Sequence, residues 1–302
     1  MTDIVIIGGG PAGLTAALYA RRANKSVVVM EKAAFGGQIT FSPRVENIPG
    51  FLSLTGNEFA EKLVEQVLEQ GADIEPCEVL SVRDEGTHKT VVTDSGEFAA
   101  KTVIIATGAR HRLLGVSNEQ RFIGEGISFC AVCDGAFYAG KSVGVVGGGN
   151  SALQEALLLS DVASKVTVIQ NLDFLTGEQK LQDQLAERAN VEVLLGKTVQ
   201  SVNGDDTFAG VTLRDEKTEQ SSELPLDGLF VAIGLVPQNE PFAELVQLDE
   251  RGYVQAGETC LTNVPGVFTA GDCRRKRVRQ VATAAADGAV AALAACDYID
   301  NL

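Results

Sequence analysis

Short runs of β-branched and apolar residues, each ended by glycine, recur along the chain. The first, in "DIVIIGGG", leads into "PAGLTAALYARR", whose apolar positions fall at helical spacing, and then into a second apolar run, "SVVVMEK". Strand, glycine turn, amphipathic helix and strand in that order predict the opening of a βαβ unit. The pattern returns 139 residues later: "SVGVVGGGNSALQEALLLSDVASKVTVIQN" aligns without a gap and sets Gly147 on Gly8 and Gln170 on Glu31. Each half closes on a similar strand and turn, "TVIIATGA" and "GLFVAIGL". A third such pattern, "GVFTAGDC", lies in a tail that has no partner in the second half.

This arrangement predicts an α/β fold of two Rossmann-like, three-layer dinucleotide-binding domains, the second inserted into the first. The expected limits are 1–112 with 238–302 for the outer domain and 113–237 for the inserted one, with short crossings because no low-complexity linker interrupts the chain. A length of 302 residues suits two domains, each with its own core. Composition adds that the chain is an ordinary globular one rich in glycine, with 45% hydrophobic and 22% charged residues. A net charge of -15 argues against a nucleic-acid partner, since phosphates would be repelled over most of the surface. The N-terminal apolar run is too short for a signal sequence and no later segment is expected to reach a membrane-spanning length, so the reading is of a cytoplasmic protein without a membrane partner.

Three stretches carry candidate chemistry. Gly8, Gly10 and Gly13 form G-x-G-x-x-G between a strand and a helix, and Glu31 follows eighteen residues beyond the last glycine. Glycines there allow a tight turn and close approach of backbone to a pyrophosphate, the helix N-terminus offers N–H donors, and the acid can accept from ribose hydroxyls. In the second copy Gly147, Gly149 and Ala152, with Asn150 and Ser151 between them, keep the pyrophosphate machinery. Its strand ends differently, on Gln170, Asn171 and Leu172, with no acid for NAD and no arginine for a 2'-phosphate. A site for an ADP moiety lacking a 2'-phosphate is expected, and FAD and NADH both meet that description; a degenerate, empty site is the alternative.

The third stretch, "FCAVCDGAFY", spaces Cys130 and Cys133 as C-x-x-C with Asp134 directly after. Such a pair can close as a disulfide or hold a thiolate near neutral pH, and Asp134 can protonate a leaving thiolate. A zinc site would need two further ligands; Cys260 and Cys273 lack paired spacing, and no metal is expected. Cys77, Cys260, Cys273 and Cys296 read as packing residues, and His88 and His111 as surface or loop residues. The run Arg274 to Arg279 holds five cations in six residues, either a solvated face or a patch that attracts an acidic partner.

Taken together and in order, "GGGPAG", "GGQ", "VENIPGF", "ATGA", "CAVCDG", "GGGNSA", "AIG" and "GDCR…RQVATAAADG" resemble the low-molecular-weight thioredoxin reductase family over nearly the whole chain. The resemblance implies FAD in the outer domain, with Gly8, Gly10, Gly13 and Glu31 at its adenosine and pyrophosphate end. It places Gly37, Gln38, Asn47 and Thr107 along the cofactor, and Asp272, Arg279, Gln280 and Val281 near its ribityl chain and flavin. It makes Cys130 and Cys133 the redox disulfide, Cys133 nearer the flavin, Asp134 the acid, and a thioredoxin-like protein the acceptor, in a homodimer whose inserted domain rotates. Members that use NADPH carry "HRR" at the end of the second unit's strand and a further arginine; this chain has "QNL" and "FLT". In that respect it is similar to ferredoxin-linked flavin disulfide reductases, some with a second FAD where NADPH would sit. The expectation is electron flow from FAD to the disulfide to a thioredoxin-like protein, driven by ferredoxin or through a second flavin. NADH- or NADPH-dependent reduction at a weakened nucleotide site, and a non-catalytic redox sensor, stand as alternatives.

Overall fold

The opening run Thr2–Ile7 is strand β1, and Pro11–Arg22 and Val27–Met30 follow as α1 and β2. The computed structural model describes residues 1–302 as two compact units, Met1–Arg110 with Val236–Leu302, and His111–Leu235. In the first unit β1 lies parallel between β2 and β6 (Glu97–Ile105), with Ile4 opposite Val27 on one side and Thr102 on the other. Beyond β2 lies β3 (Asp73–Glu75), also parallel. Along its other edge, β6 pairs antiparallel with β5 (Lys89–Thr93) near its start and parallel with β17 (Val267–Thr269) near its end, and β4 (Val79–Asp84) continues antiparallel from β5. The tail thus completes the sheet opened by the N-terminus.

Alternation along these strands feeds two cores, because successive side chains leave opposite faces. Ile4, Ile6, Val29 and Ile104 pack with α1, with Val67 of α2 (Gly56–Glu69) and with the alanines of α6 (Val281–Asp300). Val5, Ile7, Val103 and Ile105 pack on the other face with Val82, Val91, Phe242 and Val254. Against expectation, one segment is long and apolar enough to cross a membrane: the twenty-residue α6. Its alanines and valines meet the length and hydropathy test, yet Ala291, Ala292, Ala295 and Cys296 are spent in the core against α1. Gly288 permits that approach, since a Cβ there would stand 2.2 Å from the Ala12 carbonyl oxygen.

The chain leaves and re-enters the first unit through β7 (Ala109–His111) and β16 (Leu235–Pro237), which pair with each other. The second unit is a parallel sheet in the order β11, β10, β9, β15, β8. These strands are Val191–Leu195, Lys165–Gln170, Ser142–Val146, Gly228–Val231 and Ile127–Ser128. One face buries Val143, Val145, Val166 and Phe230 against Ala152, Leu153, Ala156 and Leu159 of α4 (Asn150–Ser160). The other packs Val146, Ile169, Leu229 and Val231 on a three-stranded antiparallel sheet, β12 to β14 (Lys197–Asn203, Gly210–Asp215, Ser221–Pro225). Two short helices complete the unit, α3 (Ala131–Asp134) and α5 (Gln179–Ala186).

Candidate functional site

At the first glycine turn the backbone does what side chains would prevent. Gly8 has φ +114°, and a Cβ on it would stand 2.3 Å from the Ala106 carbonyl oxygen. Gly10 is the N-cap of α1 and no side chain caps the helix, so the N–H groups of its first turn face outward undiverted. Glu31 accepts the Gly9 N–H with Oε2 and the Ala33 N–H with Oε1, both at 2.8 Å, which holds its carboxylate over the turn. Gly36 donates to the Gly9 carbonyl at 2.8 Å, and Gly37, at φ +64°, lies against Gly10. Gln38 follows, exposed to solvent.

A second cluster in the same unit gathers the later residues. The turn Gly271–Cys273 reaches the start of α1, where a Cβ on Gly271 would meet that of Ala12 at 2.8 Å. Asp272 Oδ1 is buried and has no hydrogen-bond partner, and burial raises its pKa. An orphaned buried carboxyl oxygen suits a ligand hydroxyl, so the residues here fit a dinucleotide cofactor. Arg279 donates through Nε to the Asp272 carbonyl at 3.4 Å and lays its guanidinium over the Tyr253 ring at 4.2 Å. Gln280 is the N-cap of α6, its N–H donating to Thr283 Oγ1 and its side-chain oxygen accepting from Asn47 Nδ2, each at 3.2 Å. Val281 is the first residue of α6.

Two residues that sequence reading passed over assemble this cluster. Asn239, 1% exposed, accepts from Thr107 Oγ1 and donates to the carbonyls of Gly252 and Cys273, so it joins three segments at one amide. Asp287 accepts two bonds from the Arg274 guanidinium, at 2.8 and 2.7 Å, one from Lys276 Nζ and one from the Gly271 N–H. The five cations therefore do not form one exposed patch: Arg274 and Lys276 turn inward to Asp287, while Arg275 and Arg277 face solvent. The spacing of the run carries no sign of this division.

The second glycine turn repeats the geometry of the first. Gly147 has φ +130°, a Cβ there would stand 2.7 Å from the Ala232 carbonyl oxygen, and Gly149 is the uncapped N-terminus of α4. Ala152 is fully buried behind it. Gln170, 5% exposed, lies along Gly148 and donates through Nε2 to the Phe174 carbonyl at 3.2 Å. The loop that follows folds back over the turn, with Thr176 and Gly177 donating to the Gly148 carbonyl at 2.8 and 2.9 Å. Asn150 exchanges two bonds with Glu178, and Ser151 is exposed. The loop after β10 exposes Leu172 and Phe174 and carries no lysine or arginine between Gln170 and Gln179.

In the same unit Cys130 and Cys133 are joined as a disulfide at the start of α3, Cys130 being its N-cap. The Cys133 N–H donates to Cys130 Sγ at 3.2 Å. Ser128, another residue the sequence did not single out, accepts the Cys130 N–H at 3.1 Å and donates to Asp134 Oδ2 at 2.5 Å. Burial raises the Asp134 pKa and the Ser128 hydrogen bond only partly opposes it, which suits a carboxyl that must hold a proton before giving it up. Val132, between the cysteines, is 62% exposed. His111 is no idle surface residue: its ring stacks on Phe129 with centroids 4.6 Å apart, and burial lowers its pKa to about 4. The other four cysteines are buried, and burial pushes their thiols up, Cys260 to about 11.

Two glycine-turn nucleotide folds, one of them carrying a C-x-x-C disulfide beside a buried acid, define a dinucleotide-dependent disulfide oxidoreductase. The family model described as pyridine nucleotide-disulphide oxidoreductase matches residues 2–288, and the chain belongs to that family. It is 41% identical over 301 residues to thioredoxin reductase of Bacillus subtilis, covering 99% of this chain and 95% of that protein. It is 39% identical over 298 residues to the 34.2 kDa protein in the rubredoxin operon of Clostridium pasteurianum, covering 98% and 97%. The thioredoxin reductase structure from Streptococcus pyogenes superposes with a TM-score of 0.96 at 38% identity, covering 100% of this chain and 99% of that one. These matches make the chain a thioredoxin-reductase-like flavin disulfide oxidoreductase.

Proposed function

We propose that the chain is a flavin-dependent disulfide reductase whose Cys130–Cys133 pair reduces a thioredoxin-like protein, and that its electrons do not come from NADPH. The observation that carries the first part is the grouping of Ser128, the disulfide and the raised carboxyl of Asp134. FAD is assigned to the first unit, its pyrophosphate at the turn Gly8–Gly13, its ribose at Glu31, and its ribityl hydroxyls at the unpartnered Asp272 Oδ1. Gly37, Gln38, Asn47, Thr107, Arg279, Gln280 and Val281 line the remainder. When bound, the flavin supplies the electron pair that opens the disulfide.

The chain's own residues handle the sulfur and proton chemistry. In the dithiol, the Cys133 N–H favours negative charge on Cys130 Sγ, which makes Cys130 the thiol that attacks a partner disulfide. Cys133 then attacks the mixed disulfide, the partner leaves as a thiol, and the Cys130–Cys133 bond is restored. Asp134, held by Ser128, takes and returns the proton at each exchange.

The donor reading rests on the second turn. The loop after β10 exposes Leu172 and Phe174 and has no lysine or arginine between Gln170 and Gln179, so it offers no guanidinium to a 2'-phosphate. We assign reduction to a small electron-carrying protein of the ferredoxin kind, with a second FAD on the Gly147–Ala152 turn beside Gln170. The enzyme is assigned to the cytoplasm as a homodimer. The retained glycine turn also favours a second reading, NADH or weakly bound NADPH as donor. Cofactor release from denatured protein, quantified per chain, separates the two: a second equivalent of FAD supports the first. One equivalent, with flavin bleaching at catalytic rates on anaerobic addition of a nicotinamide nucleotide, refutes it.

A further inference from the structure

The acid beside the dithiol has a second carboxyl for a neighbour. Glu155 lies on α4, against which α3 packs. Its Oε2 is buried and makes no hydrogen bond, and the same is true of Asp134 Oδ1, the oxygen that Ser128 leaves free. Two buried, unpartnered carboxyl oxygens on packed helices are costly if both groups are ionised, because each loses water and each repels the other. No cation offsets them. Among the elements packed on α4, β9 brings no charged side chain, and Lys165 at the far end of β10 is engaged with Glu192. Lys180 and Asp183 of α5 are exposed. From the turn Gly135–Tyr138, Tyr138 is raised by burial and by the Asp134 charge, and Lys141 sits over its ring.

We propose that Glu155 and Asp134 act as one carboxyl pair holding a single proton, with Glu155 the store from which Asp134 is re-protonated during dithiol–disulfide exchange. The proposal rests on the reading of Asp134 as the acid of the Cys130–Cys133 pair. Burial first, and then the Asp134 charge, push Glu155 up to about 8, so the pair keeps its proton at neutral pH and titrates as a unit. When a thiolate leaves, Glu155 passes the pair's one proton to Asp134, and the Asp134 O–H bond breaks as an S–H bond forms. Both carboxylates are then ionised, and Glu155, being only partly buried as a residue, regains a proton from water. In the reverse direction Glu155 first gives its proton to water, and the proton lost by a thiol then travels from Asp134 to Glu155. No electron moves in these transfers.

The test uses full-length, flavin-loaded protein with the dithiol reduced beforehand, and follows the loss of protein thiols on reaction with hydroxyethyl disulfide, whose alkyl thiolate must be protonated as it leaves, across the pH range. Wild type is expected to show an inflection near the pair's apparent pKa. In Glu155→Gln that inflection should vanish, with a rate loss of about tenfold near neutral pH, a fraction of the full general-acid contribution. Superimposable profiles would overturn the proposal. Asp134→Asn, run in parallel, separates the two readings: no effect there removes the acid itself, whereas an effect there with an unchanged Glu155→Gln profile removes only the store. Infrared spectra of the oxidised wild type supply a readout independent of variant folding. A protonated-carboxyl stretch at neutral pH that is lost in Glu155→Gln is expected, and its absence from wild type would overturn the proposal too.

Discussion

Replacing Asp287 by asparagine should unfold the first unit well before the second. The carboxylate is 7% exposed and accepts from the 4%-exposed Arg274, from Lys276 and from the Gly271 N–H. Asparagine keeps the shape but leaves two buried cations without their counter-charge and turns one acceptor oxygen into a donor. Breaking a buried pair from one side costs roughly 3–5 kcal/mol. For a unit of this size each kcal/mol moves Tm by about 2–4 °C, so a fall of roughly 6–20 °C is expected. Differential scanning calorimetry of the flavin-loaded protein reads it, with loss of flavin fluorescence quenching as a second signal, because Asp287 also anchors the turn that carries Asp272. Burial alone would raise the Asp287 pKa, but the Arg274 and Lys276 hydrogen bonds outweigh it and the net shift is downward. Its stabilisation is therefore complete above the usual carboxylate range and fades as pH falls through the lowered value. The Tm gap between variant and wild type should close in acid. A drop smaller than about 2 °C at neutral pH, or a gap that widens in acid, refutes the account. Replacing Asp287, Arg274 and Lys276 together by apolar residues should restore much of the loss, since the penalty lies in the stranded charge.

Three further outcomes follow from the sites. Asp134→Asn should slow thiol–disulfide exchange by about 10²–10⁴-fold, the range of a positioned acid, read by stopped-flow with a thioredoxin; a change under threefold counts against its role. Glu31→Ala removes the acceptor of the Gly9 and Ala33 N–H groups and should lower FAD retained per chain after gel filtration; full retention removes Glu31 from the cofactor site. Leu172→Arg should tighten NADPH binding in anaerobic titration by about 1.5–3 kcal/mol, the contribution of a charge-assisted hydrogen bond, and leave NADH unaffected; equal gains for both would show that the 2'-phosphate is not what the arginine meets.

The α/β fold with one nucleotide unit written inside another is legible in the chain because it is built from local signals. Apolar runs, glycines at forced turns and helical spacing repeat with a constant offset, and each is a short-range constraint on φ, ψ and burial. Cys130, Cys133 and Asp134 stand together in the chain and need no fold to be noticed. Tertiary structure alone decides what those groups touch. Asn239 meets Thr107 and Cys273 across 132 and 34 residues, Asp287 draws in two cations from a run that looked uniform, and Glu155 comes beside Asp134 only because α3 packs on α4. Gln170 likewise shows by type what it can bond, while its burial along Gly148 depends on the loop that closes over the turn. Periodicity reports which face of an element is apolar; it contains no term for which distant side chain arrives opposite a given polar atom. The hydrogen bonds and pKa shifts that turn a cysteine pair into chemistry are set by that arrival.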